Sequence, residues 1–378
     1  MGNGRSEAAE RQVAALIGER YSPTALLLTD SGTSALRAAL NGVLKERPGA
    51  AVALPVFSCY DLATAAAGAG VPVVLYDTDP HTLAPDLASL RTALRLGAAA
   101  VVVVHLYGYP IDLAEVNRLV AEAGAVVIED AAQAAGATVR NRPAGTQSSL
   151  AVLSFGRGKG LTGGSGGALL AHDDVGKRVV EDARALLGPA PRGWSDIVAL
   201  SAQLILERPQ LYAVPAALPF LHLGETVYRD PHPPTAASPA SCALVAATWA
   251  LADREAGIRR RNAARLLDVL GRGQGGAFAT IRVSSDVQPG YLRLPVLATP
   301  AARRAVAEPG ARRLGVMTAY PKVLSELDGF GSRCANRDGA FLGGRALAAR
   351  LCTLPTHGRL GAVDLAGLEQ WIRTVGAR

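Results

Sequence analysis

The sequence predicts an α/β protein: a large domain built on a mostly parallel sheet, followed by a smaller C-terminal α+β domain. Three observations carry this expectation. Between Ala51 and Leu170, short apolar or β-branched runs alternate with helical patterns, as strand–helix crossovers onto a parallel sheet require. After about Asp173 the alternation fades into a passage holding Pro189, Pro191, Pro231, Pro233 and Pro234. A length of 378 residues exceeds what one core ordinarily organises, so two domains around a shared site are expected, with the division at 1–230 and 231–378.

In chain order, the first element is a helix opened by Ser31-Gly32-Thr33-Ser34, whose Ala35, Leu36, Ala39, Leu40, Val43 and Leu44 fall on one face. Strands are expected at Ala51–Leu54, Val73–Tyr76, Ala99–Leu106, Ala125–Glu129, Leu150–Phe155 and Ala168–Leu170. Asp112–Ala123 reads as a helix that Gly124 stops. Beyond the proline-rich passage, Ala240–Leu270 is helical, strand-like runs lie at Tyr291–Leu297 and Leu351–Leu354, and further helices are expected at Ala301–Leu314 and Asp364–Thr374.

The apolar fraction is near one half and charged residues are 19%, which describes a packed rather than a disordered chain. The net charge of +7 comes from scattered arginines without a block of like charge, so an anionic small-molecule site is expected and nucleic-acid binding is not. Cys59, Cys242, Cys334 and Cys352 are widely spaced and signal neither zinc nor a disulfide framework; a reducing cytoplasm is the simpler reading. Met1–Glu10 is polar and lacks the apolar core of a secretory signal. The most apolar stretch, Ile197–Leu223, is interrupted by Glu207-Arg208-Pro209, Pro215 and Pro219, too broken for a spanning helix.

Three constellations carry chemistry. Ser154-Phe155-Gly156-Arg157-Gly158-Lys159-Gly160 places a lysine just after a strand in a glycine-rich loop, where desolvation can free its amine to attack an aldehyde; a surface lysine in a turn is the alternative. Val126–Asp130 is a strand ending in acids, and an acid at a strand's carboxyl end faces the crevice where α/β proteins bind ligands. Asp130 there is suited to hold a pyridinium nitrogen protonated, or else to cap the next helix. Ser31–Ser34 can offer N–H groups and hydroxyls to a phosphate at the positive end of a helix, or serve only as an N-cap.

In order, phosphate turn, ring acid and lysine resemble the fold-type-I pyridoxal-phosphate enzymes. More narrowly the chain resembles the DegT/DnrJ/EryC1/StrS aminotransferases. The resemblance rests on Ser31–Leu36, His105-Leu106-Tyr107-Gly108, Glu129–Ala134, and Ser154-Phe155 with Lys159 five positions past the serine. Arg261-Asn262-Ala263 and Leu354-Pro355-Thr356-His357 also match. It implies pyridoxal 5′-phosphate bound to Lys159 as a Schiff base, Asp130 on the ring nitrogen, Gln133 near the phenolic oxygen, and Thr33, Ser34 and Ser154 on the phosphate, with Gly32 permitting close approach. The ring's open face needs an aromatic or apolar partner. The family's aromatic position falls nearest Cys59, so Tyr60 is the candidate if the turn shifts by one residue; a core role for Tyr60 is the alternative.

The implied activity is amino transfer from glutamate or glutamine to a keto acceptor, foremost a nucleotide-linked keto sugar in secondary-metabolite or glycan biosynthesis, by a homodimer with shared sites. Two departures bear on the sugar. The family's acid in the glycine loop is replaced by Gly164-Ser165-Gly166-Gly167, and its aromatic-Asn-aromatic-Arg stretch by Tyr228–Pro234. The second-subunit contact is therefore unassigned. Together with Ile197–Leu223 these leave open a non-sugar or lipid-like carbonyl substrate, a peripheral membrane contact, or a non-catalytic regulatory protein. Arg157 can meet a carboxylate or phosphate; His105 and His357 read as polar core residues and Cys59 as a small packed one.

Overall fold

The computed structural model describes residues 3–191, 193, 228–272 and 276–377. Its centre is a seven-stranded sheet, β1 (Ala25–Thr29), β2 (Ala51–Pro55), β3 (Val73–Tyr76), β4 (Ala98–Val104), β5 (Val126–Asp130), β8 (Leu150–Ser154) and β9 (Gly167–Ala171), in the order β1-β9-β8-β5-β4-β2-β3. The pairs β3/β2, β2/β4, β4/β5 and β5/β8 are parallel, whereas β9 runs antiparallel to both β8 and β1. The expected α/β class with a mostly parallel sheet is what the chain forms. All seven residues of β4, AAAVVVV, are buried, as a strand covered by helices on both faces must be.

The helix Gly32–Lys45 begins where predicted. Ser31 Oγ accepts from Ser34 N–H at 3.0 Å, capping it, and its small and branched side chains bury against β8, β9 and the helices Asp61–Ala69 and Asp174–Leu186. Strand β1 was not among the expected elements; a five-residue leucine-rich run has too few positions to separate period 2 from period 3.6. The N-terminal helix Asn3–Tyr21 is likewise new, and its Val13 and Ile17 pack with Cys242 and Val245.

Behind the proline-rich passage the expected helix Ala240–Leu270 is two helices, Pro239–Thr248 and Leu251–Arg272, parted at Trp249-Ala250. Neither residue is a breaker, so periodicity ran through the join. The first of the pair lies on Asn3–Tyr21 and shares a core cluster with Leu28, Ala168 and Leu170 of the large sheet, so the segment just after 231 packs with the first half of the chain. The long apolar stretch from 197 to 223 lies outside the described residues.

The C-terminal part holds an antiparallel sheet, β10 (Phe278–Thr280), β12 (Leu294–Ala298), β14 (Leu351–Leu354) and β13 (Met317–Thr318), in that order. The expected strand from Tyr291 starts at Leu294, because Tyr291 adopts a left-handed φ of 48°. The helix expected over Ala301–Leu314 is cut into Pro300–Ala307 and Pro309–Arg313; Pro309 forces Glu308 into extended geometry. Helix Ala362–Gly376 closes the sheet's outer face through Leu368 and Ile372. A small ladder, β11 (Val287–Gln288) with β6 (Thr138–Val139) and β7 (Arg142–Pro143), stitches this part to the loop after β5.

Candidate active site

The site forms at the carboxyl ends of the adjacent parallel strands β5 and β8, where an α/β sheet opens a crevice. Strand β5 delivers Asp130, β8 delivers Ser154, and the turn before the helix Gly32–Lys45 closes from a third side. One cavity is lined by Gly32, Thr33, Asp130, Gln133, Ser154 and Lys159, with Cys59 and Asp61 opposite. Six of the eight residues singled out in the sequence thus meet.

Asp130 is 6% exposed, and its Oδ1 accepts from Ala132 N–H at 3.0 Å. Burial raises its pKa above the ordinary carboxylate value, against the Ala132 N–H, Lys159 and His105, which pull it down, while Asp61 adds to the rise. Lys159 lines the same cavity, and its charge pulls the pKa of both Asp130 and Cys59 down. Its backbone N–H donates to Gly156 O at 3.3 Å, and the loop folds back through Gly163 N–H to Phe155 O at 2.7 Å.

The turn is tight. A Cβ on Gly32 would lie 2.8 Å from Ser154 Cβ and 3.2 Å from its Oγ, so only glycine lets the helix start reach the serine. First-turn N–H groups and the helix dipole there favour an anion. Thr33 lines the cavity, whereas Ser34 does not: it is buried, its N–H is taken by Ser31 Oγ, and its Oγ accepts from Ser31 Oγ at 3.0 Å. Ser34 supports the turn from behind.

Gln133 is fixed from both ends. Its Oε1 accepts from Tyr107 N–H at 2.8 Å and its Nε2 donates to Tyr320 Oη at 3.2 Å. Tyr107 holds a left-handed φ of 58° and stacks on Tyr320, with centroids 6.0 Å apart. Tyr320 was not a sequence candidate; a single aromatic before Pro321, in a two-strand-residue context, gives no periodic signal.

Tyr60 is corrected. It is 3% exposed and packed in the core, its hydroxyl accepting from Lys322 N–H at 3.0 Å and donating to Lys322 O at 3.2 Å. The turn does not shift, and Cys59 takes the cavity wall. Burial, then the neighbouring Asp61, pushes its thiol up to about 12, so it stays protonated and donates to Asp61 Oδ2 at 3.3 Å.

The other polar landmarks are structural. His105 Nδ1 accepts from Ile111 N–H at 3.1 Å, leaving Nε2 to donate to Glu129 Oε1 at 2.8 Å. Burial would raise the Glu129 pKa, but His105, Gln147 and Gly145 outweigh it and hold the carboxyl below its ordinary value. Asn262 Nδ2 donates to Thr356 O at 2.9 Å, which joins the two C-terminal landmarks. Arg157 is exposed. In the stretch from Tyr228, Arg229 O accepts from Thr64 Oγ1 and His232 O from Arg37 Nη1.

This arrangement coincides with a sequence match. Residues 2–187 fit the model of the DegT/DnrJ/EryC1/StrS aminotransferase family, and they include every cavity-lining residue named above. Through that region, just under half of its length, the chain is similar to this family. An L-glutamine:2-deoxy-scyllo-inosose aminotransferase of Micromonospora echinospora is 35% identical over 176 residues, 47% of this chain and 42% of that protein. GDP-perosamine synthase of Caulobacter vibrioides is 32% identical over 179 residues, 46% of this chain and 47% of that protein. The match thus spans less than half the length of these curated relatives. The fold likeness runs further: the sugar aminotransferase CalS13 of Micromonospora echinospora aligns over 98% of this chain and 96% of its own, with a TM-score of 0.74 at 23% identity.

Proposed function

We propose that this protein is a pyridoxal-phosphate-dependent aminotransferase that takes an amino group from glutamate or glutamine and delivers it to a keto carbonyl, foremost that of a keto sugar. The observation that carries the reading is the meeting of Lys159, Asp130, Ser154, Thr33 and Gly32 around one cavity. The residues fit the cofactor: a hydroxyl and helix-start cradle too close for any Cβ, a buried acid, and a lysine lining the same cavity. The names of the two relatives, one a glutamine-dependent aminotransferase, supply the donor and acceptor classes.

When bound, the cofactor supplies an electron-withdrawing ring that stabilises negative charge on a substrate carbon. Asp130, buried and braced by Ala132, would hold the ring nitrogen's proton in place. Gly32, Thr33 and Ser154 would anchor the phosphate, with Ser34 stiffening the turn. Gln133, clamped by Tyr107 and Tyr320, would orient the ring's oxygen edge. Lys159 would first tether the cofactor and then carry a proton to and from the substrate carbon as the general base and acid. Cys59, protonated and small, would border the cofactor with less bulk than an aromatic.

A homodimer with shared sites belongs to the same reading, as does a reducing compartment, which the four unpaired cysteines fit. No helix among the described residues is long and apolar enough to cross a membrane. The test is spectroscopic: cofactor-loaded protein should lose its lysine-bound absorption band on addition of glutamate or glutamine and regain it with a keto acceptor. A band indifferent to every amino donor would refute amino transfer.

A further inference from the structure

Among the described residues, three charged side chains line the active-site cavity: Asp130, Lys159 and Asp61. The first two have work in the reading above, on the ring nitrogen and as the cofactor's tether. Asp61 has none. It is exposed where Asp130 is buried, so it stands on the solvent side of the same cavity.

Asp61 opens the helix Asp61–Ala69, and an acid in a first turn suits the helix dipole without any ligand. Its surroundings ask for more. Its Oδ2 accepts from the Cys59 thiol at 3.3 Å, which turns the carboxylate along the cavity wall, and it forms no ion pair with a lysine or arginine among the described residues. Its charge reaches both walls, raising the pKa of Cys59 on its own side and of Asp130 across the cavity. Cys59 stands where the resemblance puts an aromatic, and a thiol is too small to screen a carboxylate two residues on from whatever enters. With the cofactor in place, Asp130 and Lys159 would both be engaged by it. Asp61 is then the uncompensated charge that faces the substrate.

We propose that Asp61 is a specificity-determining residue: its carboxylate turns away a substrate that brings a second negative charge to this wall and accepts a hydrogen bond from one that brings an N–H in its place, so the protein takes its amino group from glutamine rather than glutamate. The proposal rests on the aminotransferase reading above. The two donors differ at one group, a neutral amide against a carboxylate. Like charges brought together in a half-wet site cost about a factor of 10 or more in affinity.

The test is Asp61→Asn in the full-length protein, since asparagine keeps an acceptor for the Cys59 thiol and for an amide and removes the charge. In protein loaded with pyridoxal phosphate, the concentration of each donor that half-converts the absorption band is measured. The glutamate-to-glutamine ratio of these concentrations should exceed about 10 in wild type and fall about 10-fold in the variant, through a gain for glutamate. A ratio that the variant leaves unchanged, or a wild type that prefers glutamate, overturns the proposal. The same charge is read without cofactor or turnover by alkylation of Cys59, followed by peptide mass. Wild type should favour neutral iodoacetamide over anionic iodoacetate beyond the ratio shown by free 2-mercaptoethanol, with the excess shrinking in added salt and vanishing in the variant. An equal excess in both proteins means that Asp61 does not act on what enters the cavity and overturns the proposal. Wild-type protein that takes up no cofactor refutes the aminotransferase reading itself, while the alkylation ratio still judges Asp61.

Discussion

At the scale of the residue, the site is governed by which side chains are buried with a partner and which without. Glu129 and Asp130 are consecutive at the end of β5, yet the sheet points them to opposite faces. Glu129 is fully buried and receives His105, Gly145 and Gln147. Its folded pKa lies below its ordinary value, so the stability it contributes is complete above the unfolded value and is lost as pH falls through the folded one. Glu129→Gln should lower stability at neutral pH by roughly 3–5 kcal/mol, and its stability should fall less steeply than wild type below pH of about 4, as chemical denaturation across pH will read. Asp130→Asn keeps an acceptor for Ala132 N–H and loses the charge for the ring nitrogen; turnover should fall about 100-fold or more, with the thermal midpoint nearly unchanged. Gly32→Ala should cost about 1–3 kcal/mol of stability and weaken cofactor retention on dialysis, because its methyl meets Ser154. Lysine, acid and phosphate turn were legible because each sits in a local context with a chemical meaning. Tyr60 was misplaced because the neighbour of a turn residue can face either way, and only the packing of Tyr60 on Lys322 decides. Tyr320 was not legible at all, since its partner Gln133 lies 187 residues away.

At the scale of the element, the parallel strands announced themselves by composition. Runs such as AAAVVVV and VVIED are buried on both faces and need no alternation to be found. The helix joins that went unseen, at Trp249-Ala250 and before Pro309, differ in kind. The first carries no breaker and is set by tertiary packing, with the two halves burying against different layers. The second carries proline, whose stop at the preceding residue was in the sequence to be used. Helix Leu251–Arg272 is pinned to the C-terminal sheet by Asn262, whose Nδ2 donates to Thr356 O at 2.9 Å and His357 O at 3.4 Å. Asn262→Leu should destabilise by about 1–3 kcal/mol through the orphaned carbonyls, measured by thermal or denaturant unfolding.

At the scale of the whole molecule, two unlike sheets are joined by the small β11/β6/β7 ladder, which fastens the C-terminal part to the loop after β5. The chain brings the proposed phosphate turn from its first forty residues and the proposed ring acid and lysine from the middle. The family match covers both contributions and stops at residue 187, whereas the fold likeness continues to the end. The central claim is that Lys159 holds pyridoxal phosphate, and absorbance of purified protein titrated with the cofactor tests it most directly. The account predicts a yellow protein whose visible band resists dialysis, becomes fixed on borohydride reduction as a modified Lys159 by peptide mass, and is missing from Lys159→Ala. A wild-type protein that remains colourless with added cofactor, or a Lys159→Ala protein that keeps the reducible band, would contradict it.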